Sequence, residues 1–310
     1  MAELEYNRMM TIEAIEAAVE AKEAQERDFD KVIRGHSIGK PCERYGWYKF
    51  RWIAPPEAFE GRMLRLFNTG HVEEDRMIEW LCMTGCEVVN QTGEGGQIRV
   101  EALDGHMAGH LDGEVLGLKE APKTWHLLEC KTHNDKSFAQ LVKFGVKIAK
   151  PEHVAQMQLY MGLRGLTRGF YLAKNKNTDE LYSDRIEFDA AHFAALMAKG
   201  ERILASDKPL DKISDDPNNF QCRFCHLSGV CHNQAQPLRN CRTCIHSETR
   251  PGCVWYCERH EMELSHEAQK EGCTLHRYLP RLIHGELIGA DAESETMTYK
   301  LDNGEEWIDG

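Results

Sequence analysis

The sequence predicts a mixed α/β fold, with a central sheet flanked by helices, followed by a small cysteine-rich module. Two observations lead to this class. Strand-like and helix-like segments alternate before residue 207, an order typical of a sheet covered by helices. Beyond that point cysteines recur at short spacings. We therefore divide the chain into an N-terminal acidic helix, an α/β core and two cysteine-containing segments: residues 1–30, 31–206, 207–236 and 237–310.

The elements of the core follow from hydrophobic periodicity and from glycine and proline positions. The first helix carries Ile12, Ile15 and Val19 on one stripe, and Pro55 with Pro56 precedes an amphipathic helix over residues 59–81. We predict strands within residues 85–100, around 112, around 129, at 169–173 and at 181–188. Further helices are predicted over residues 138–149, 151–161 and 190–206.

Composition excludes several classes of protein. No apolar run approaches the ~20 residues that a membrane span needs. The N-terminus carries early acids instead of the basic and apolar regions of a secretion signal. Twelve cysteines in such a chain indicate metal binding rather than disulfides.

The net charge of −12 is unusual for a protein that binds nucleic acid, but the charges are unevenly distributed. Residues 121–176 contain ten lysines and arginines and three acidic residues, whereas acids are dense near both ends. A local basic face, not the total charge, contacts phosphates. The net charge therefore does not exclude a protein that binds nucleic acid, although we expect weaker non-specific binding than a strongly basic protein would show.

Two strand-like segments carry acidic and basic side chains. Asp112 opens the first segment, and Glu129 and Lys131 lie in the second. Because side chains alternate along a strand, Glu129 and Lys131 point to one side and Cys130 to the other. If the two segments pair, Asp112 lies close to Glu129. The sequence thus predicts two carboxylates and an ammonium group on one face.

This set suits the hydrolysis of a phosphodiester. Two carboxylates can hold Mg²⁺ or Mn²⁺ with open positions for water and a phosphate oxygen. The cation polarises the phosphorus centre and lowers the pKa of the attacking water, and a lysine offsets developing negative charge. For the three residues alone, a solvated strand edge with an ion pair is the simpler interpretation.

The flanking helices change that interpretation. The upstream helix carries Glu74, and the downstream helix carries Gln156 and Tyr160. These elements in this order resemble the PD-(D/E)xK nucleases, in the branch of RecB-type, CRISPR-associated and lambda-type phage exonucleases, over roughly residues 35–190. The resemblance implies a restriction-endonuclease-like core and a Mg²⁺ or Mn²⁺ ion held by Glu74, Asp112 and Glu129. The catalytic residues that it implies are these three with Lys131, Gln156 and Tyr160.

One position departs from the family pattern. RecB-type and CRISPR-associated members usually carry histidine where Glu74 aligns, and here the histidine lies at position 71. This favours the lambda-type arrangement and leaves the role of His71 open.

A first cysteine cluster follows the core. Cys222, Cys225 and Cys231 form a C-x2-C-x5-C pattern, whose thiolates can share a metal, and Cys42 is the candidate fourth ligand. One cysteine before the core and three after it resemble the iron–sulfur staple of several RecB-type and CRISPR-associated nucleases, which implies a [4Fe–4S] cluster. The alternative is zinc held by the three clustered cysteines and one of two histidines, His226 or His232.

A second cluster starts with Cys241 and Cys244. C-x2-C followed by C-x2-H is a strong zinc signal. We assign the first two cysteines as ligands and expect two more from three candidates: Cys257, Cys273 and His276. We interpret Cys253 and His260 as residues that do not bind the metal. A module of ~70 residues has little core of its own, so this zinc is predicted to be structural.

We expect a metal-dependent DNA exonuclease that acts in recombination or DNA processing. The alternatives are a structure-specific or restriction-like endonuclease and a non-catalytic nucleic-acid-binding assembly protein; the intact Asp112, Glu129 and Lys131 argue against the latter. The resemblance implies a phage-encoded enzyme of the bacterial cytoplasm. The partners expected are DNA, a single-strand annealing or recombination protein, and further copies of the chain.

Overall fold

The computed structural model describes residues 2–233 and 235–310, with the side chains of residues 2–9 and 280 outside the description. The helices are α1 (Ala2–Glu26), α2 (Gly35–Ile38), α3 (Glu43–Phe50), α4 (Gly61–Met83), α5 (Asp135–Phe144), α6 (Val146–Ala149), α7 (Pro151–Arg164), α8 (Ala190–Ala205), α9 (Phe220–Arg223), α10 (Ser228–His232) and α11 (His266–Glu271). The strands are β1 (Ile33–Arg34), β2 (Glu87–Val89), β3 (Arg99–Ala102), β4 (Met107–His110), β5 (Gly113–Leu116), β6 (His126–His133), β7 (Arg168–Asn175), β8 (Leu181–Glu187), β9 (Ser247–Arg250), β10 (Val254–Cys257), β11 (Met262–Glu263), β12 (Gly285–Asp291), β13 (Thr296–Leu301) and β14 (Glu306–Asp309). Short 3-10 turns lie at Cys241–Thr243 and Pro280–Leu282.

The chain divides into two compact units, neither of which is a continuous segment. The first consists of Met1–Asp28, Pro56–Val100 and His110–Ala190. The second consists of Phe29–Pro55, Glu101–Gly109 and Ala191–Gly310. Both contain helices and strands, so the predicted mixed α/β class is confirmed.

The first unit is built on a five-stranded sheet of order β2-β5-β6-β7-β8. β6 and β7 run parallel, and the other neighbours are antiparallel. A parallel pair needs a crossover connection, which α5, α6 and α7 supply. This connection brings α7 into contact with both central strands.

One face of this sheet packs against α4. Leu128 and Cys130 of β6 lie in a buried cluster with Met77 of α4 and with side chains of β7. Full burial of an apolar side chain such as Leu128 contributes roughly 1.5–3 kcal/mol. Because side chains alternate along β6, Glu129 and Lys131 point away from this cluster.

The helix predicted over residues 138–149 is two helices. α5 begins earlier, after Asn134, whose side chain accepts a hydrogen bond from the Ser137 backbone amide at 2.9 Å. Gly145, with a φ of +73°, ends α5 in a positive-φ conformation that glycine adopts without strain.

The strand predicted within residues 85–100 is also divided. β2 joins the five-stranded sheet, whereas β3 belongs to a separate sheet of order β1-β4-β3. Residues 90–96 between them are polar and glycine-rich, and an isolated bridge joins Gln91 to Gln97. Glycine weakens a strand interior, so this segment turns instead of continuing the strand.

α1 is held against α4 by polar contacts. Glu20 accepts a hydrogen bond from the Gly61 backbone amide at 2.7 Å, and Glu16 pairs with Arg65 at 2.6 Å. Ile12 and Ile15, on the predicted packing stripe, stay 49% and 50% exposed. Val19 is half-buried, so two of the three stripe residues contribute little to the attachment of this helix. Among the described residues, no helix is both long enough and apolar enough to cross a membrane.

The second unit is organised around a buried arginine and aromatic rings. Arg242 donates hydrogen bonds to the carbonyl oxygens of Phe50 and Lys31, each at 3.0 Å, and to Gln269 Oε1 at 2.8 Å. Its guanidinium lies 3.8 Å from the ring centroid of Trp52. Such partners offset the cost of burying a charge. Two antiparallel sheets, of order β11-β10-β9 and β12-β13-β14, complete the unit.

Candidate active site

The pairing of β5 with β6 forms as the sequence predicts and anchors Asp112. Gly113 lies opposite Leu128, so Asp112, immediately before β5, reaches the middle of β6. Its Oδ2 accepts a hydrogen bond from the Cys130 backbone amide at 2.8 Å. The Asp112 carboxylate is thus held by the backbone of the strand that carries Glu129.

Glu129 and Lys131 contact each other on one face of β6. Lys131 Nζ lies 2.5 Å from Glu129 Oε1 and 3.4 Å from Asp112 Oδ2. Gln156 of α7 donates its side-chain N–H to Glu129 Oε2 at 3.3 Å. Glu129 is 0% exposed, so polar neighbours at both oxygens take the place of water.

Negative charge is concentrated at this site. Burial raises the pKa of Glu129 to about 7; Lys131 opposes this shift, whereas Asp112 and Glu74 add to it. Burial, followed by the charge of Asp112, raises the pKa of Glu74 to about 7. Burial alone would lower the pKa of Lys131, but the charges of Glu129 and Asp112 raise it well above its ordinary value. A cation would offset the excess of carboxylates.

The carboxylates match a hard divalent cation in donor type, because Mg²⁺ and Mn²⁺ favour carboxylate oxygens. Across residues 2–233 and 235–310, no three His, Cys, Asp or Glu side chains converge as a preformed metal site. Lys131 instead contacts both Asp112 and Glu129. Donor type and charge fit the cation, and the ligand geometry would have to form around it.

The two neighbouring glutamates of α4 have different surroundings. Glu73, which the sequence analysis did not single out, is buried and lies 2.7 Å from Lys174 Nζ and 2.8 Å from an Arg76 nitrogen. The pKa of Glu74 is instead raised in part by the negative charge of Asp112 in the active site. His71, whose role was left open, is exposed on the same helix.

α7 presents three polar residues at one-turn intervals. Gln156 contacts Glu129, and Tyr160 is buried one turn later. His153, one turn earlier, lies with Nδ1 2.9 Å from the Tyr171 hydroxyl.

A histidine of β6 joins this group. His133 Nε2 is also 2.9 Å from the Tyr171 hydroxyl. His133, His153 and Tyr171 were not predicted as site residues from the sequence. The spacing of His133 could have indicated it. Glu129, Lys131 and His133 occupy every second position of the strand, so their side chains point to the same face.

The four residues of the first cysteine cluster all belong to the second unit. Burial raises the pKa values of the Cys222, Cys225 and Cys231 thiols, and the charge of Cys42 adds to each shift. Thiols are the donor type that suits an iron–sulfur cluster or zinc, but among the described residues they do not converge as a preformed metal site. Burial lowers the pKa of the rival ligand His226 to about 4.

The second cysteine cluster surrounds a cavity of about 220 Å³. Burial raises the pKa of Cys241 to about 11, and the charges of Cys244, Cys273 and Cys257 contribute. His276 lines the same cavity, with Nε2 3.1 Å from Thr243 Oγ1. Its Nδ1 is buried without a hydrogen-bond partner. All five predicted ligand candidates thus line one cavity, together with His246 and His260, although among the described residues they do not converge as a preformed metal site.

No family model and no curated protein sequence matches this chain. Similar solved structures include LHK-Exo, an alkaline exonuclease from Laribacter hongkongensis, at 17% identity and a TM-score of 0.42, covering 62% of this chain and 91% of that one. LHK-Exo in complex with dAMP is similar at 19% identity and a TM-score of 0.42, covering 56% and 87%. A phage-related exonuclease from Haemophilus somnus is similar at 12% identity and a TM-score of 0.32, covering 43% and 66%. Because these identities and TM-scores are low, the chemistry of the site is inferred from its own residues.

Proposed function

We propose that this chain is a Mg²⁺- or Mn²⁺-dependent deoxyribonuclease that hydrolyses phosphodiester bonds and acts from DNA ends. The observation that carries the proposal is the arrangement on β6. Glu129 is held between Lys131 and Gln156, and Asp112 is bonded to the backbone of the same strand. Buried carboxylates beside a lysine suit hydrolysis of a phosphate ester, because they bind a cation and the lysine binds the phosphate.

The residues have separate roles in this reaction. Asp112 and Glu129, with Glu74 beside them, would hold the cation, which supplies a polarised phosphate and a water of lowered pKa. Lys131 keeps its proton because the carboxylates raise its pKa. It donates to phosphate oxygens and offsets the charge that develops on them. Gln156 restrains the Glu129 carboxylate through Oε2.

Exposed lysines give the first unit a surface for the DNA backbone. α5 and α6 carry Lys136, Lys143 and Lys147, all exposed. Lys174 belongs to the same basic segment but is buried in its ion pair with Glu73, so it is not available to phosphates. Lysines that neutralise phosphates release counterions, which favours binding despite the net charge of the chain.

We also propose two metal centres in the second unit. Cys42, Cys222, Cys225 and Cys231 would hold a [4Fe–4S] cluster, and a separate zinc ion would be held by the second cluster. For zinc we favour the four thiols of Cys241, Cys244, Cys257 and Cys273. His276 is the rival ligand: its Nε2 is taken by Thr243, but its Nδ1 is not. Metal binding deprotonates thiols and supplies folding free energy.

Elemental analysis and absorbance test the two metal centres. Anaerobically purified protein should be brown, absorb near ~400 nm, and contain both iron and zinc. Cys42→Ser should remove the colour and retain zinc. Colourless protein with two zinc ions and no iron would overturn the iron–sulfur assignment, and a tetrahedral site that survives Cys273→Ser but not His276→Asn would overturn the four-thiol set.

The nuclease proposal is tested with end-labelled linear duplex DNA, single-stranded DNA and RNA, each with Mg²⁺, with Mn²⁺ and with a chelator. We expect cation-dependent cleavage of DNA by the wild type and none by Glu129→Gln, which removes a ligand charge but keeps the side-chain shape. Equal cleavage by Glu129→Gln, or none by the wild type under any of these conditions, would contradict the proposal.

A further inference from the structure

Five polar side chains of the first unit, none used in the hydrolysis described above, form one hydrogen-bonded chain. Lys150 Nζ is 2.6 Å from Ser137 Oγ, which is 3.0 Å from His133 Nδ1. The Tyr171 hydroxyl is 2.9 Å from both His133 Nε2 and His153 Nδ1. His133 and Tyr171 are buried, whereas Lys150, Ser137 and His153 at the two ends are half-buried.

This hydrogen-bonded chain lies beside the active-site residues. Tyr171 is the register partner of Glu129 in the parallel pair β6–β7, so their side chains share a face of the sheet. His153 precedes Gln156 by one turn of α7, and Gln156 contacts Glu129. The pKa of His153 is lowered by burial and next by the positive charge of Lys131.

The hydrogens along it have a definite order. An ammonium group only donates, so Ser137 accepts from Lys150, and we assign the Ser137 hydroxyl hydrogen to His133 Nδ1. Burial lowers the pKa of His133 to about 4 and that of His153 to about 3, so near pH 7 each ring is neutral and carries one hydrogen. His133 then donates from Nε2 to Tyr171, and Tyr171 donates to His153 Nδ1. His153 keeps its own hydrogen on Nε2.

His153 Nε2 is the outer end of this arrangement. Within the described part of the chain, no hydrogen bond involves this atom. It is also not among the fully buried polar atoms that lack a partner. The Nε2–H group is therefore not fully enclosed by the protein.

We infer that His153 contacts the substrate, donating its Nε2–H to a non-bridging oxygen of a phosphate at or next to the scissile bond, and that His133 and Tyr171 are positioning residues that fix its tautomer. This inference rests on the proposed nuclease activity. A neutral donor suits this place, since Lys131 already supplies a positive charge and disfavours a second one. A role confined to holding α7 on the sheet would affect stability but no particular phosphate.

The test is a double-mutant cycle between His153 and individual phosphates. His153→Ala and wild type cleave linear duplexes in single turnovers with Mg²⁺. Each duplex carries one methylphosphonate beside the scissile bond or one stereopure phosphorothioate at it. At the contacted phosphate we expect the replacement to slow the wild type about tenfold. His153→Ala should slow cleavage of unmodified DNA by a similar factor and be insensitive to that replacement.

Further variants separate contact from structure. His153→Gln, whose amide nitrogen can approach the position of Nε2, should retain more activity than His153→Asn. If His153→Ala does not fold, this pair of variants replaces it in the test. Tyr171→Phe should weaken the phosphate-specific effect. The matched control Tyr182→Phe removes a hydroxyl that lies 3.1 Å from Asp184 Oδ2 and should change nothing.

Two results would overturn the inference and spare the nuclease. One is a wild-type cleavage rate for His153→Ala. The other is additivity of the His153→Ala and phosphate effects at every position, with lowered thermal stability as the cause of slow cleavage. Absence of cleavage by the wild type would overturn both proposals together.

Discussion

The two units hold their reactive side chains in different ways. In the first, Glu129 and Lys131 project from a central strand whose other face is buried in an apolar cluster, and Asp112 is bonded to its backbone. In the second, Cys222 lies in a four-residue helix and Cys241 in a 3-10 turn. Sheet register fixes the first site, whereas the cysteine sites depend on short elements that a metal would bind together.

The largest effect that this comparison predicts is on activity without loss of fold. Asp112→Asn should lower DNA cleavage by about 10³-fold or more, because a ligand charge worth roughly 4 kcal/mol of transition-state stabilisation is removed. The amide oxygen can still accept the Cys130 hydrogen bond, so the melting temperature should change little. Single-turnover cleavage and thermal unfolding measure the two quantities.

Asp184→Asn is the matched control for this variant. Asp184 Oδ2 lies 3.3 Å from the Val146 backbone amide in the same unit and is not part of the proposed site. It should keep wild-type activity. Retained cleavage in Asp112→Asn, or equal losses in both variants, would contradict the assignment.

The second prediction concerns the proposed zinc ion, whose binding would supply folding free energy to the segment that holds it. Zinc chelation or Cys241→Ser should remove hydrogen-exchange protection from residues 241–279 and leave β6 protected. Cys82→Ser, at an exposed thiol of the first unit, is the control and should alter neither region. Loss of protection in β6 to the same extent would mean that the two regions do not differ as described.

The sequence predicts the parts of the fold that depend on local pattern. The β5–β6 pairing and the α7 face with Gln156 follow from alternation and helical spacing. Tyr171 could not be predicted, because its place opposite Glu129 depends on a parallel register between segments joined by three helices. The Glu73–Lys174 ion pair also joins distant segments. Long-range register and pairing leave no periodic trace in a single sequence.

The third prediction is a pH dependence of stability. Burial lowers the pKa of His133 to about 4, against ~6.5 in an unfolded chain. Between about pH 4 and 6.5 the unfolded state therefore binds a proton that the folded state does not, so stability falls as pH falls, by up to ~1.4 kcal/mol per pH unit. His133→Asn lacks this contribution.

Urea unfolding of wild type and His133→Asn from pH 4.5 to 7 measures this difference. Glu129, whose pKa is raised to about 7, acts in the opposite direction between ~4.5 and 7, so the difference between the two proteins is the diagnostic quantity. Identical pH slopes would mean that His133 is not buried in its neutral form.

The smallest effect is expected on the DNA-binding surface. Lys143→Ala should weaken DNA binding only a few-fold and lower the slope of log affinity against log salt by about 0.9, the contribution of one phosphate contact. Lys300→Ala, at an exposed lysine of the second unit, is the control. Fluorescence anisotropy in Ca²⁺ at several salt concentrations gives both slopes, and equal slopes would remove α5 from the DNA-binding surface.

The most direct test of the proposed activity compares two forms of one duplex, end-labelled linear DNA and the same sequence as a covalently closed circle, incubated with Mg²⁺ and the wild-type protein. An enzyme that acts from ends should degrade the linear form to nucleotides or short products and leave the circle intact. Cutting of the circle at a comparable rate would contradict the exonuclease assignment and identify an endonuclease.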